Sequence, residues 1–160
     1  MDETSTARLL DFLLEAKRRT YAGLDDDATV AAPLLAGSKQ LEHHRDEFSY
    51  RDIYFGMAYF AGQEVVSRHA RPVWSMSYAG GTLPDITRRE DLLAIYGFLR
   101  KALLRVGSDN PFRGPPRFEE GGYRYINASE GELAAFHGSE EILYAEKRVY
   151  ALHYSGGLLR

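Results

Sequence analysis

Two features of the sequence predict an α+β protein built on antiparallel sheet. Two segments with helical spacing of apolar residues are each followed by segments in which apolar and polar residues alternate. Fifteen glycines and eleven tyrosines suit a sheet with many turns. We therefore expect one domain over residues 1–160, with two helices and one or more curved antiparallel sheets. It would consist of two helix-plus-four-strand repeats, at about 6–81 and 87–157.

The first half begins with a helix predicted at Thr6–Thr20. Its apolar face consists of Leu9, Leu10, Leu13, Leu14 and Ala16, and its solvated face of Asp11, Glu15, Lys17 and Arg18. Residues 24–37 lack periodicity and contain three consecutive aspartates, which predicts a mobile loop. Alternation then predicts strands at Gln40–Asp46, Phe48–Phe55, Phe60–Arg68 and Pro72–Ala79.

The second half begins with a helix that we expect to start at a Thr87/Glu90 capping box and to end before Gly107. Its predicted buried stripe is Leu92, Ile95, Tyr96, Leu99, Leu103 and Val106. Three prolines exclude regular structure from residues 108–116. Four strands are predicted after them, at Tyr123–Ser129, Glu132–His137, Glu141–Ala145 and Arg148–Ser155.

The strand segments of the two halves resemble each other. Phe60–Gly81 aligns without a gap with Phe136–Gly157, 76 residues later, and seven of the 22 positions are identical. Upstream, Tyr50–Ile53 matches Tyr123–Ile126 at an offset of 73. These matches predict a structural repeat, and the alternative is coincidence between segments of similar sheet composition.

Alternation divides the last strand of each repeat into two faces. One face carries large side chains, namely Trp74, Met76 and Tyr78, matched by Tyr150, Leu152 and Tyr154. The other carries mainly small ones, namely Val73, Ser75 and Ser77, matched by Val149, Ala151 and His153. We expect a helix to pack against the small-residue face, with a ligand as the alternative.

Composition and missing motifs exclude several classes of protein. Twenty basic against 23 acidic residues, with a pI near 6.0, argue against nucleic-acid binding. The absence of cysteine excludes disulfides, a thiol nucleophile and cysteine-ligated metal. An acidic N-terminus and short apolar runs predict a cytoplasmic protein without a leader or a membrane span. The glycine motifs of nucleotide-binding and serine-hydrolase sites do not occur.

Several motifs together resemble an uncharacterised bacterial family known only as a domain of unknown function. They are Tyr50–Gly56, Phe60–Val66, Pro72–Tyr78, Phe98–Leu103, Phe112–Pro115, Val149–Tyr150 and Tyr154–Gly157. In that family the domain stands alone or follows a repressor-type helix-turn-helix. The resemblance therefore implies a standalone or sensor-like domain, and it provides no established catalytic residue.

Polar and aromatic side chains on the strands are candidates for a ligand site. Tyr50, Asp52 and Tyr54 share one strand face, with Tyr123, Tyr125 and Asn127 as their counterparts at the offset of 73. A concave sheet with these side chains would bind a small aromatic or polar ligand, and Asp52 would serve as a general base. The alternative is that the tyrosines fill the core. The predicted ligand-binding residues are Tyr50, Asp52, Tyr54, Trp74, Arg113, Tyr125 and His153, and the catalytic candidates are Asp52 and His153.

Other polar residues favour structural roles. His43 and His44 point to opposite strand faces, and His44 with Asp46 would need a distant third metal ligand such as His153. We therefore expect no metal and no cofactor. Arg113, in the proline-rich connector, is either an anion clamp or part of a salt bridge. The recurring Gly-x-Glu at Glu64 and Glu140 is expected to fix a turn.

The sequence thus favours a non-enzymatic domain for small-ligand sensing or interaction. The alternative is a cofactor-free lyase, isomerase or cyclase that uses Asp52, His153 and tyrosines in a barrel-like pocket. A purely structural or dimerisation module is the third interpretation. A small-molecule ligand and a homodimer are the expected partners, and neither nucleic acid nor a membrane is.

Overall fold

The computed structural model describes residues 3–22 and 32–160, in which there are two helices and eight strands. In chain order they are α1 (Glu3–Ala22), β1 (Lys39–Arg45), β2 (Phe48–Gly56), β3 (Tyr59–Arg68), β4 (Arg71–Thr82), α2 (Arg89–Leu103), β5 (Arg117–Glu120), β6 (Tyr123–Glu132), β7 (Ala135–Tyr144) and β8 (Lys147–Leu158). All eight strands form one antiparallel sheet, which confirms the predicted fold class. The sheet is open, with β1 and β5 at its edges. No helix in the described ranges is long and apolar enough to cross a bilayer.

The strand order is β1-β2-β3-β4-β8-β7-β6-β5, which is symmetric about the central β4–β8 pair. Tyr78 and Tyr154 face each other at the centre of that pair. Asp52 lies opposite Glu64 in one half, and Asn127 lies opposite Glu140 in the other. Corresponding strands therefore share the same register, while a sequence repeat as the origin of the symmetry stays a prediction.

This register corrects one predicted correspondence. Tyr50 pairs with Val66, and Tyr125 pairs with Ile142 at the equivalent position. Tyr50 therefore corresponds to Tyr125, an offset of 75 residues, and the predicted match at 73 is wrong. The tyrosine-rich sequence of β6 offers two similar alignments, and only the pairing with β7 selects between them.

The second half contains two further corrections among its strands. The segments predicted at Glu132–His137 and Glu141–Ala145 belong mainly to one strand, β7, with Gly138 in its interior. The four-residue strand β5 was not predicted, because it begins directly after Pro116 and its sequence does not alternate clearly. The predicted total of eight strands thus agrees with the described part of the chain, and the predicted division of this half is wrong.

The ends of α2 also differ from expectation. Arg88 is the N-cap, with no side-chain hydrogen bond to the helix, so the predicted Thr87/Glu90 capping box is wrong. The helix ends at Leu103, and Gly107 forms an isolated bridge with Asn110 beyond it. Of the predicted loop at 24–37, residues 24–31 lie outside the described residues, and 32–37 contain only bends and turns.

Both helices lie against the face with large side chains. Phe12 of α1 stacks on Phe48 at 5.1 Å between ring centres, and Tyr96 of α2 meets Tyr150 edge-on at 6.3 Å. Ser77 and His153, on the opposite face, are exposed. The expectation of a helix on the small-residue face is therefore wrong. The large side chains bury more apolar area, which stabilises helix packing on their side.

Candidate functional site

Five ionisable side chains lie together in the core beneath the helices. Lys17 comes from α1, Asp52 from β2, Glu64 from β3, Glu140 from β7, and Arg113 from the segment between α2 and β5. None is more than 5% exposed. We call these five residues the inner cluster. Because ionised groups are rarely buried completely, the cluster is the most unusual feature of the described residues.

Lys17 and Glu64 form the first ion pair of the inner cluster. The Lys17 Nζ donates to Glu64 Oε2 at 2.5 Å and to the Phe112 carbonyl at 2.7 Å. Burial lowers the pKa of Lys17, and the charge of Glu64 opposes this change. Lys17 was expected on the solvated face of α1, so that prediction is wrong.

Arg113 and Glu140 form the second ion pair. Glu140 accepts hydrogen bonds from Arg113 Nε at 3.2 Å and Nη2 at 2.7 Å, from the Tyr125 hydroxyl at 2.6 Å and from the Tyr150 hydroxyl at 2.8 Å. Burial, followed by the charge of Glu140, raises the pKa of both tyrosines well above 10. Arg113 therefore forms an internal salt bridge, one of its two predicted roles. Glu64 and Glu140 lie within strands, so the expected turn at Gly-x-Glu is wrong.

Asp52 is the one carboxyl of the inner cluster without a basic hydrogen-bond donor. It accepts a 2.6 Å hydrogen bond from the Tyr78 hydroxyl and faces Glu64 across the strand pair. Burial, and secondly the charge of Glu64, raise the pKa of Asp52 to about 7. At neutral pH this carboxyl can therefore both accept and release a proton.

An amide takes the position of Asp52 in the other half. The Tyr154 hydroxyl donates to Asn127 Oδ1 at 2.8 Å, as Tyr78 does to Asp52. Asn127 Nδ2 donates to the Gly114 carbonyl at 2.8 Å. The same hydroxyl contact is thus made to a neutral side chain in one half and to a titratable one in the other.

A proline-rich segment covers the inner cluster. We call residues 110–116 the connector, and its first five residues are buried. Phe112 stacks on Phe136 at 3.7 Å between ring centres, and the Gly114 N–H donates to the Tyr125 hydroxyl at 3.1 Å. A methyl group at Gly114 would lie 2.8 Å from the Tyr125 ring, so only glycine fits there without displacement. The connector is therefore a tightly packed segment of irregular backbone that covers the inner cluster.

The buried indole of Trp74 adjoins the inner cluster. Lys17 Nζ lies 5.6 Å from the centre of the indole, and the Phe136 ring stacks on it at 5.7 Å. The indole is fully buried, and its Nε1 has no hydrogen-bond partner among the described residues. An unsatisfied buried donor is rare in folded proteins.

The structure brings together most of the predicted ligand-binding residues. Tyr50, Asp52, Trp74, Arg113 and Tyr125 are all buried in the core. Tyr54 is half-buried, next to the Phe60 ring.

His153 is separated from them, because it is exposed on the outer face of the sheet. His44, which together with Asp46 and His153 was considered as a set of metal ligands, is exposed on β1. Within residues 3–22 and 32–160, no three histidine, aspartate or glutamate side chains are grouped so as to hold a metal ion.

Sequence reasoning missed the charged residues of the site. Lys17, Glu64 and Glu140 were given surface or turn roles, although Glu64 and Glu140 recur at the same spacing as Tyr78 and Tyr154. The sequence did contain a signal for Glu64 and Glu140. In both halves a glutamate recurs within an alternating strand, on the same face as the large apolar side chains.

Two surface clefts lie away from the inner cluster. One of about 560 Å³ is on the outer face of the sheet, where Ser75, Ser77 and Ser155 contribute to its wall. The other, of about 370 Å³, is at the turn between β5 and β6. None of the residues of the inner cluster contributes to either cleft, and all five are buried among the described residues. A ligand would therefore reach the cluster through movement of its cover.

Comparison with known proteins identifies a family without an assigned activity. A family model described as a domain of unknown function, DUF5680, matches residues 52–159. The matched region contains four of the five residues of the inner cluster and omits Lys17. No curated protein and no solved structure gives a significant match. The resemblance found in the sequence is supported to this extent, and bacterial origin and a helix-turn-helix neighbour stay predictions.

Proposed function

The chain belongs to the DUF5680 family, a domain of unknown function, and we propose that it is a non-enzymatic domain that senses a small ligand bound at the inner cluster. The observation that carries this proposal is the burial of five ionisable side chains in one small core. Buried ion pairs contribute little stability compared with apolar residues of similar size. Their concentration at one place therefore favours a role in binding.

The connector supplies a route to the inner cluster. It is held mainly by hydrogen bonds that involve side chains, from Lys17 to the Phe112 carbonyl, from Arg113 to Glu140 and between Gly114 and Tyr125. One backbone bond, from Asn127 N to the Pro116 carbonyl, fixes its far end. Movement of residues 111–115 would open the core without breaking any pairing between the eight strands.

The resemblance noted in the sequence supports the same function, since domains that follow a repressor-type helix-turn-helix commonly respond to small molecules. Under this proposal the protein acts in the cytoplasm, and a homodimer would couple two ligand sites. The ligand would replace the connector's contacts with interactions of its own.

Thermal-shift screening of the full chain against a metabolite collection tests the proposal. We expect at least one compound to raise the unfolding temperature by several degrees at saturating concentration. Asp52→Asn, inside the inner cluster, should change that response, and His153→Ala, on the outer face, should leave it unchanged. If no compound stabilises the protein, or if His153→Ala alone changes the response, the proposal is wrong.

A second candidate function rests on Asp52 alone. A carboxyl with a pKa of about 7, hydrogen-bonded to the Tyr78 hydroxyl, has the properties of a general acid–base group. This favours the cofactor-free lyase or isomerase alternative, with Asp52 moving the proton. Time-resolved NMR of each compound found by the screen separates the two functions. An enzyme would convert the compound and lose that activity in Asp52→Asn, whereas a sensor returns it unchanged.

A further inference from the structure

The two halves of the core differ in one buried donor. Val66 pairs with Trp74 in the first half, and Ile142 pairs with Tyr150 at the equivalent position of the second. The Tyr150 hydroxyl donates to Glu140 at 2.8 Å, whereas Trp74 Nε1 has no partner among the described residues. At this position the donor of the second half is therefore satisfied within the protein, whereas the Trp74 N–H of the first half has no acceptor among the described residues.

An indole N–H can only donate a hydrogen bond, so the missing partner is an acceptor. Burial removes the N–H from water, and without an acceptor this desolvation destabilises the folded protein. A ligand that supplies the acceptor would offset that free-energy cost. Among the uncharged acceptor groups of small organic molecules, a carbonyl oxygen is both common and small enough to approach a buried N–H. The unused donor thus defines one polar group of the ligand.

The charges around Trp74 define the ligand further. Lys17 and Arg113 are balanced by Glu64 and Glu140, each in a direct ion pair. Asp52, with a pKa of about 7, is mostly protonated at pH 6, so the five side chains of the inner cluster then carry no net charge. At that pH a charged ligand would introduce an additional buried charge without a partner, which is strongly unfavourable. An uncharged ligand avoids this cost.

Two stacked aromatic rings lie beside the Trp74 indole. Phe136 stacks on Trp74, and Phe112 of the connector stacks on Phe136 with an angle of only 6° between the rings. Movement of the connector would remove Phe112 and free one face of Phe136. A flat aromatic ring could then replace the lost stacking.

We propose that the core of the first half, at Trp74 and the adjoining inner cluster, binds a small, uncharged aromatic molecule. A carbonyl oxygen of this molecule would accept a hydrogen bond from Trp74 Nε1. The inference rests on the proposed function and specifies its ligand class. Recognition would combine one directed hydrogen bond with ring stacking, and ligands of either charge would be rejected.

The test uses the only tryptophan of the chain as its reporter. The ¹⁵N-labelled protein is titrated at pH 6 with benzamide, benzoate and benzylammonium, which share a ring and differ in charge. We expect benzamide to move the single indole N–H resonance downfield in a saturable manner. Benzoate and benzylammonium should bind at least tenfold more weakly.

A variant removes the donor and keeps an aromatic ring. Trp74→Phe should weaken benzamide binding, measured by calorimetry, at least tenfold, and thermal unfolding checks that the variant is folded. His153→Ala should bind benzamide like the unchanged protein. The indole titration itself needs no variant, so a poorly folded Trp74→Phe protein would not prevent the test.

Two outcomes would overturn the inference. One is the absence of a saturable indole shift with benzamide, and the other is equal or tighter binding of a charged probe. If metabolites from the thermal-shift screen still bind in an Asp52-dependent manner, the proposed function stands and only the ligand class is wrong. If no compound binds at all, both are wrong.

Discussion

Asp52 faces Glu64 directly across β2 and β3, and the Tyr78 hydroxyl donates to Asp52 at 2.6 Å. At the equivalent position of the other half, Asn127 faces Glu140. One half therefore contains two opposed carboxyl groups, and the other an amide opposite a carboxylate. This difference makes the first half sensitive to pH, and it provides the natural substitution with which to test that sensitivity.

Asp52→Asn should remove a pH-dependent loss of stability. The pKa of Asp52 is raised from 3.8 to about 7 on folding, so its contribution is fully present below about pH 4 and is lost as pH rises to about 7. Asn keeps the acceptor for Tyr78 and cannot ionise. Above pH 7 we expect the variant to be more stable by on the order of 4 kcal/mol, because three pKa units correspond to about that energy.

Urea unfolding of both proteins at pH 4.5, 6 and 8 measures the difference in the free energy of unfolding. The difference should grow with pH over this range. A constant difference would show that Asp52 is ionised in the folded protein at all three values. Asn127→Asp is the converse variant and should lose stability as pH rises.

Glu140→Gln should destabilise the protein strongly. The substitution removes the carboxylate that pairs with the buried Arg113 guanidinium, and breaking a buried ion pair in this way typically costs about 3–5 kcal/mol. Glu141→Gln, at the adjacent position, affects only a surface contact with Arg148 and should cost less than about 1 kcal/mol. Chemical unfolding compares the two variants, and similar losses would contradict the assigned role of Glu140.

Gly62→Ala and Gly97→Ala should have opposite effects. A methyl group at Gly62 would lie 2.5 Å from the Tyr78 hydroxyl and 2.6 Å from the Ile53 carbonyl, so we expect a loss of about 1–3 kcal/mol. Gly97 lies in α2, and among the described residues no atom beyond its chain neighbours and the adjacent helix backbone lies within 4 Å of the new methyl, so alanine should add about 1 kcal/mol. Thermal unfolding measures both, and a gain at Gly62 would contradict the close contact with Tyr78.

The turn between β3 and β4 offers a stabilising double substitution. His69 and Ala70 have φ of 49° and 63°, a conformation that non-glycine residues adopt at a cost. Asn-Gly is preferred in such two-residue hairpins, so His69→Asn with Ala70→Gly should stabilise by about 1–2 kcal/mol. Differential scanning calorimetry should show a higher unfolding temperature, and a lower one would contradict the turn geometry.

The sequence was sufficient to predict the fold class, because alternation and helical spacing are local patterns. It was insufficient within β7, where Gly138 suggests a turn. The structure explains this glycine, since a methyl group there would lie 2.4 Å from the Tyr154 hydroxyl. The face that receives the helices was also mistaken, because small side chains suggest close approach while the large ones provide the buried area.

The candidate site was predictable only in part. Alternation correctly placed Tyr50 and Asp52 on one strand face, and both are buried. Lys17 could not be assigned, because a lysine next to Arg18 on an amphipathic helix is normally solvated, and its partner Glu64 is 47 residues away. His153 was placed with Asp52 by residue type alone, and alternation puts the two on opposite faces of the sheet.

Hydrogen exchange of the full chain, with and without a ligand from the thermal-shift screen, tests the central claim most directly. If the inner cluster is the ligand site and the connector its cover, backbone amides in residues 110–116 should exchange faster than those of β4 and β8 in the free protein. Ligand should slow exchange in the connector and leave the outer cleft around Ser75 and Ser155 unchanged. Protection confined to that outer cleft, with no change in the connector, would contradict the account.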